Sequence, residues 1–123
     1  MARVVALLPD LLFGSKVQGM LAAAGHEVTV AGTPQAVLQD VAGHDLVVVD
    51  LCEDAAARTE LLAPAATGAK VLAFYLHTDV ETRTRALAAG FHLVVPRSRM
   101  AREGAALADG LLDPAQRSAE TTA

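Results

Sequence analysis

Five short apolar runs, each followed by a segment with apolar residues at helical spacing, set the rhythm of this chain. Residues 4–8 form the first run and stop at Pro9, which pushes the residue before it toward extended geometry. Phe13, Val17, Met20, Leu21 and Ala24 follow with the single apolar stripe of a helix, with Asp10 as a starting residue. Gly25 suits the left-handed position just past that helix. Residues 27–31 read as a second strand. Thr33-Pro34 then has the form of a cap and first-turn proline for a helix reaching Ala42. Residues 45–50, Asp-Leu-Val-Val-Val-Asp, are an unbroken apolar run between acids, the pattern of a strand buried on both faces of a parallel sheet. Asp50 falls at its carboxyl end, the edge where open α/β sheets carry their functional groups.

Residues 53–62 have helical composition, closed by Pro64 and Gly68. Residues 71–75 read as a fourth strand, and Thr78 with Glu81 as a capping box for a fourth helix ending at Ala89-Gly90. Residues 92–95 make a fifth strand stopped by Pro96, with Ser98 as the expected cap of a last helix reaching 112. Residues 1–112 thus form one domain, and 113–123, polar and featureless, a flexible C-terminal tail. Five strands alternating with five helices predict a doubly wound α/β domain.

Composition narrows the picture. Hydrophobic residues make up 53% of the 123 but aromatics only 3%, so Val, Leu and Ala must fill thin, closely packed layers. A formal charge of −4 and the absence of a strong basic cluster argue against nucleic acid as a partner. Arg97, Arg99 and Arg102 read as a solvated helix face. The single cysteine rules out an internal disulfide and fits a reducing cytoplasm. The N-terminal apolar run is too short for a signal peptide or a membrane span. A soluble cytoplasmic protein with no membrane association is expected.

Candidate chemistry gathers at the carboxyl edge. Asp50 is a phosphoacceptor, a partner contact or a polar strand end; Asp10 is a helix cap or a weak metal ligand. His77 follows the fourth strand on the same edge, whereas His26, His44 and His92 each precede a strand and belong to the opposite one. Glu53 and Asp54 beside Cys52 would raise its pKa, the reverse of what a redox-sensing thiol needs. Ser98 at a helix start is a cap, or part of a small-anion site with Arg97.

Ala-Gly-His-Glu-Val at 24–28, Asp-Leu-Val-Val-Val-Asp-Leu at 45–51, Arg-Thr-Arg-Ala-Leu-Ala-Ala-Gly at 83–90 and Val95-Pro96 occur in an order and spacing that resemble the receiver domain of two-component response regulators. The resemblance covers nearly the whole chain before the tail. It implies the flavodoxin-like fold, a five-stranded parallel sheet of order 2-1-3-4-5 in three α/β/α layers. It also implies an aspartate nucleophile at Asp50 with Mg²⁺ held by two acids after the first strand. Those two places hold Leu8 and Pro9, with Asp10 one residue on. The family's switching hydroxyl aligns with Tyr75 and its lysine with Val95, Arg97 standing two residues beyond. The resemblance is therefore to a degenerate, pseudo-receiver type.

Three readings follow. The first is a stand-alone receiver-like regulator that is not an enzyme, has no cofactor or metal, and works by binding another signalling protein. The contact would use the face of the fourth helix, fifth strand and last helix, where Val80, Arg83, Leu87 and Met100 are candidate contacts; a homodimer through that face is a variant of this reading. The second is a conventional phosphoacceptor using Asp50 and Mg²⁺, with Asp10, Tyr75, His77, Arg97 and Ser98 as site neighbours. The third is a small flavodoxin-like ligand binder, although no Gly-x-Gly-x-x-Gly run or P-loop is present.

Overall fold

The computed structural model describes residues 2–113, so the tail expected over 113–123 lies outside the described residues except for Asp113. The chain runs β1 (Arg3–Leu7), α1 (Leu11–Ala23), β2 (Glu27–Ala31), α2 (Pro34–Asp40), β3 (Leu46–Asp50), α3 (Ala55–Leu61), α4 (Pro64–Thr67), β4 (Lys70–Tyr75), α5 (Val80–Ala88), β5 (Leu93–Pro96) and α6 (Arg97–Leu112). The five strands form one parallel sheet in the order β2-β1-β3-β4-β5.

Alternation along the central strands builds two cores. Val4, Ala6, Leu46, Val48, Leu72 and Phe74 face α1 and α6, where Phe13, Val17, Leu21, Met100, Ala108 and Leu111 close the layer. Val5, Leu7, Val47, Val49, Val71 and Ala73 face the other way, against Val37 of α2, Leu62 after α3 and Ala86 of α5. Every residue of β3 is buried, because helices cover both faces of the sheet. Helix α1 seats close to the end of β1: a Cβ on Gly14 would lie 3.1 Å from the Leu8 Cβ and 3.2 Å from the Leu8 carbonyl oxygen.

The expected elements are present with corrected boundaries. Helix α2 stops at Asp40 rather than Ala42, and α3 starts at Ala55 rather than Glu53. Pro64, expected to close the third helix, instead starts the one-turn α4, a first-turn position that needs no proline N–H. Gly25 takes the left-handed backbone after α1, at φ +94°. Two caps move. Asp79, not Thr78, caps α5: its carboxylate accepts from the Thr82 amide at 3.2 Å and from the Thr82 hydroxyl at 2.5 Å. Ser98 lies inside α6, because the helix follows Pro96 directly and leaves no loop for a side-chain cap.

The Thr82 hydroxyl, and then its amide, hold the Asp79 carboxyl below its ordinary value of 3.8. A carboxylate with a depressed folded pKa stabilises the fold above its unfolded value, and that contribution is lost as pH falls through the folded one. Asp79→Ala should therefore lower the urea midpoint at neutral pH and lose most of its effect at about pH 2. Thr78→Ala should leave the midpoint unchanged at both.

Candidate functional site

Asp50 ends β3 opposite Phe74 of β4, and alternation turns its side chain to the α1/α6 face of the sheet. Only 6% of the residue is exposed. Its carboxylate accepts from the Cys52 amide at 2.8 Å, folding the chain back across Leu51 in the manner of an Asx turn. Its backbone carbonyl accepts from Arg58 Nη1 at 2.9 Å. Arg58 reaches back from α3, is itself 7% exposed, and lies 4.0 Å from the Asp54 carboxylate. Asp54 is the one non-glycine residue with positive φ among the described residues, at +47°. A buried guanidinium thus pins the end of β3 while the loop after it makes a left-handed turn. Arg58 was not singled out from sequence; the available signal was an arginine two turns beyond the strand end, four residues after an acid.

A cavity of about 410 Å³ opens above Asp50, lined by Pro9, Asp10, Cys52, Glu53, Leu76 and Arg97. One Asp10 oxygen accepts from the Phe13 amide at 2.9 Å and caps α1, and the other lies 3.9 Å from Arg97 Nη2 in a half-exposed ion pair. The Arg97 guanidinium also sits 4.0 Å from the centroid of the Phe13 ring, a cation–π contact. Burial pushes the Cys52 thiol up to about 12, helped by the Asp50 charge and a hydrogen bond to it, and opposed by Arg97 and Arg58. The direction is the expected one, but its causes are burial and Asp50, not the neighbours Glu53 and Asp54, and it disfavours the thiolate that a redox-sensing cysteine needs.

The structure brings Asp10, Asp50 and Arg97 to one cavity. His77 and Ser98 line an adjoining hollow of about 220 Å³ with Phe13, Leu76, Arg97 and Ala101. Tyr75 does not join them. Because Asp50 pairs with Phe74, Tyr75 falls on the opposite face, 6% exposed among Val5, Leu7, Val49 and Ala73. Val95, in the family's lysine position, is 1% exposed, and Leu8, in an acid position, 4%. Of the partner-face candidates, Val80 and Leu87 are 63% and 43% exposed, and Arg83 is exposed. Met100 is not a contact. It is fully buried, since residues 100, 104, 108 and 111 form the inner stripe of α6. On the opposite edge, His26 meets Asp109 at 2.6 Å, and His92 accepts from the Val71 amide at 3.0 Å.

The donor set does not fit the divalent cation that the receiver resemblance implies. Asp10 is engaged by an amide and a guanidinium. Among the described residues, no three His, Cys, Asp or Glu side chains come together in a way that could hold a metal ion. What the arrangement does is structural: it fixes the strand end and leaves an acidic, partly enclosed hollow above it.

The buried Arg58 bond is open to direct test. Arg58→Met keeps the bulk but strands the Asp50 carbonyl, and should cost about 1–3 kcal/mol in urea unfolding. Arg85→Met, which removes an exposed helix pair with Glu81, should cost under about 0.5 kcal/mol.

No family model matches the chain, and no curated protein matches it. Solved structures do. A response regulator from Thermotoga maritima superposes with TM-score 0.78 at 16% identity, over 91% of this chain and 98% of its own. A CheY-like receiver domain protein from Methanospirillum hungatei gives 0.79 at 20% identity, over 96% and 98%. An atypical orphan response regulator, described as revealing a phosphorylation-independent regulatory mechanism, gives 0.71 at 18% identity, over 89% and 94%. The chain has the fold of response-regulator receiver domains, a five-stranded parallel sheet of order 2-1-3-4-5 between helical layers.

Proposed function

We propose that this chain is a regulatory module of the receiver fold that acts by binding another signalling protein, without ordinary Mg²⁺-dependent phosphorylation of Asp50. In this reading it is not an enzyme and carries no cofactor. The observation that carries the proposal is the state of Asp10. It is the acid nearest the family's metal-binding places, and here it caps α1 through the Phe13 amide and faces Arg97 at 3.9 Å, with no second carboxylate beside it at Leu8 or Pro9. Leu8 and Val95 extend the same point, since positions that bear charge in the family lie in the core here.

The binding face in this reading is α5 with its neighbours, where Val80, Arg83 and Leu87 stand exposed at i, i+3 and i+7. That spacing puts an arginine between two apolar side chains, a combination suited to an interface centre. A cytoplasmic setting belongs to the same reading. No helix among the described residues is long and apolar enough to cross a membrane.

Affinity capture from cells that express the protein tests the proposal. Asp50→Asn should capture the same partner as the wild type, and Val80→Ser/Arg83→Glu/Leu87→Ser should lose roughly tenfold or more of it. Loss of the partner with Asp50→Asn and retention with the triple variant would overturn the reading.

A further inference from the structure

β2 is one edge of the sheet and pairs with β1 alone, in unbroken register from Arg3–Glu27 to Leu7–Ala31. The Glu27 amide donates to the Ala2 carbonyl at 2.9 Å, and the Ala31 carbonyl accepts from the Leu8 amide at 3.1 Å. Both residues therefore turn their main-chain groups toward β1. Alternation gives Thr29 the same direction and turns the N–H and C=O groups of Val28 and Val30 outward. Those outward groups meet no partner among the described residues. Val30 is also the one valine or leucine of the five strands that is exposed, at 40%.

An open edge is normally guarded by lysine, proline, a bulge or brevity. β2 carries no lysine, proline or bulge, and its one charge, Glu27, stands at its start, 3.9 Å from Arg3 of β1. The other edge differs: β5 has four residues, ends in Pro96 and passes straight into α6.

The edge matches a second copy of itself. Two β2 strands set antiparallel about a dyad at Thr29 bring Val28 opposite Val30 of the second copy on either side of the axis. Each such pair exchanges both of its N–H···O=C bonds, so all the outward groups of Val28 and Val30 are used. Val28 lies beside Val4 and Val30 beside Ala6, on the face of the α1/α6 core. The facing valines of two copies would extend that core and cover Val30. Thr29 meets its own copy on the other face, a favourable cross-strand pair. Glu27 falls opposite Ala31, so the register sets no like charges against each other.

We propose that two copies of the chain pair antiparallel through β2, joining their five-stranded sheets into one continuous sheet. An antiparallel strand at the edge of a parallel sheet is a common arrangement, and the dyad closes the assembly at two copies. The surface is separate from α5 and the inference does not depend on the reading of that face. A contact this narrow makes the association weak and reversible.

Sedimentation equilibrium over roughly 10 μM to 1 mM protein should show a reversible monomer–dimer equilibrium. Amide hydrogen exchange followed by NMR at both ends of that range supplies the signature. Protection at Val28 and Val30 should rise severalfold with concentration, while Thr29, bonded to β1 in either state, stays constant. Val30→Lys, at a solvent-facing position that leaves the β1 ladder intact, should weaken the dimer by roughly tenfold or more, and Val30→Ile should keep it. A monomer throughout, a dimer that withstands Val30→Lys, or exchange at Val28 and Val30 that ignores concentration would each overturn the proposal. So would a dimer abolished by Arg83→Glu, which would assign association to α5, and growth past the dimer, which would mean head-to-tail pairing.

Discussion

The hydrogen bond from the buried Arg58 guanidinium to the Asp50 carbonyl, with the return bond from the Cys52 amide to the Asp50 carboxylate, fixes how β3 leaves the sheet. Most of what lies above depends on that exit. It sets the left-handed turn at Asp54, the start of α3 and the walls contributed by Cys52 and Glu53. A charged group buried this far is tolerated only when its donors are met, and removing one partner strands the other. Two strand-end groups are satisfied by the chain's own loop, so Asp50 has a structural task whatever else it does.

Around this clamp, the positions that the resemblance gives to acids, a lysine and a switching hydroxyl hold buried or internally paired side chains, Pro9 apart. Leu8 and Val95 complete the core on the α1/α6 face, and Tyr75 packs on the other. Asp10 caps α1 and meets Arg97, which in turn lies on Phe13. The result is a receiver scaffold whose carboxyl edge is braced by internal hydrogen bonds and an ion pair. The same edge leaves Leu11 and Leu12 exposed to solvent at the start of α1.

Much of the scaffold was legible because burial on both faces of a parallel sheet leaves unbroken apolar runs. Residues 45–50 and 71–75 could hardly be anything else, and chain order alone put Asp10, Asp50 and Arg97 at one edge. Other features were hidden for definite reasons. Tyr75 was misplaced because its face depends on the pairing of Asp50 with Phe74, and a shift of one residue reverses every side chain. Arg58 acts across eight residues through a side chain that bends back into the sheet, which helical composition does not reveal. Thr78 and Asp79 are adjacent capping residues, and the carboxylate prevailed by accepting two bonds from Thr82. Met100 was readable and missed: its spacing with Ala108 and Leu111 already marked the inner stripe.

The most direct measurement is a backbone amide NMR titration with Mg²⁺, followed by Mg²⁺ with beryllofluoride as a mimic of a phosphoryl group. A carboxylate held by its own loop, with Asp10 as cap of α1 and no acid at Leu8 or Pro9, predicts a flat response at millimolar Mg²⁺ and no slow-exchange species with beryllofluoride. Saturable shifts at Asp10, Asp50 and the His77 loop, absent in Asp50→Asn, would contradict it and restore Asp50 as a working phosphoacceptor.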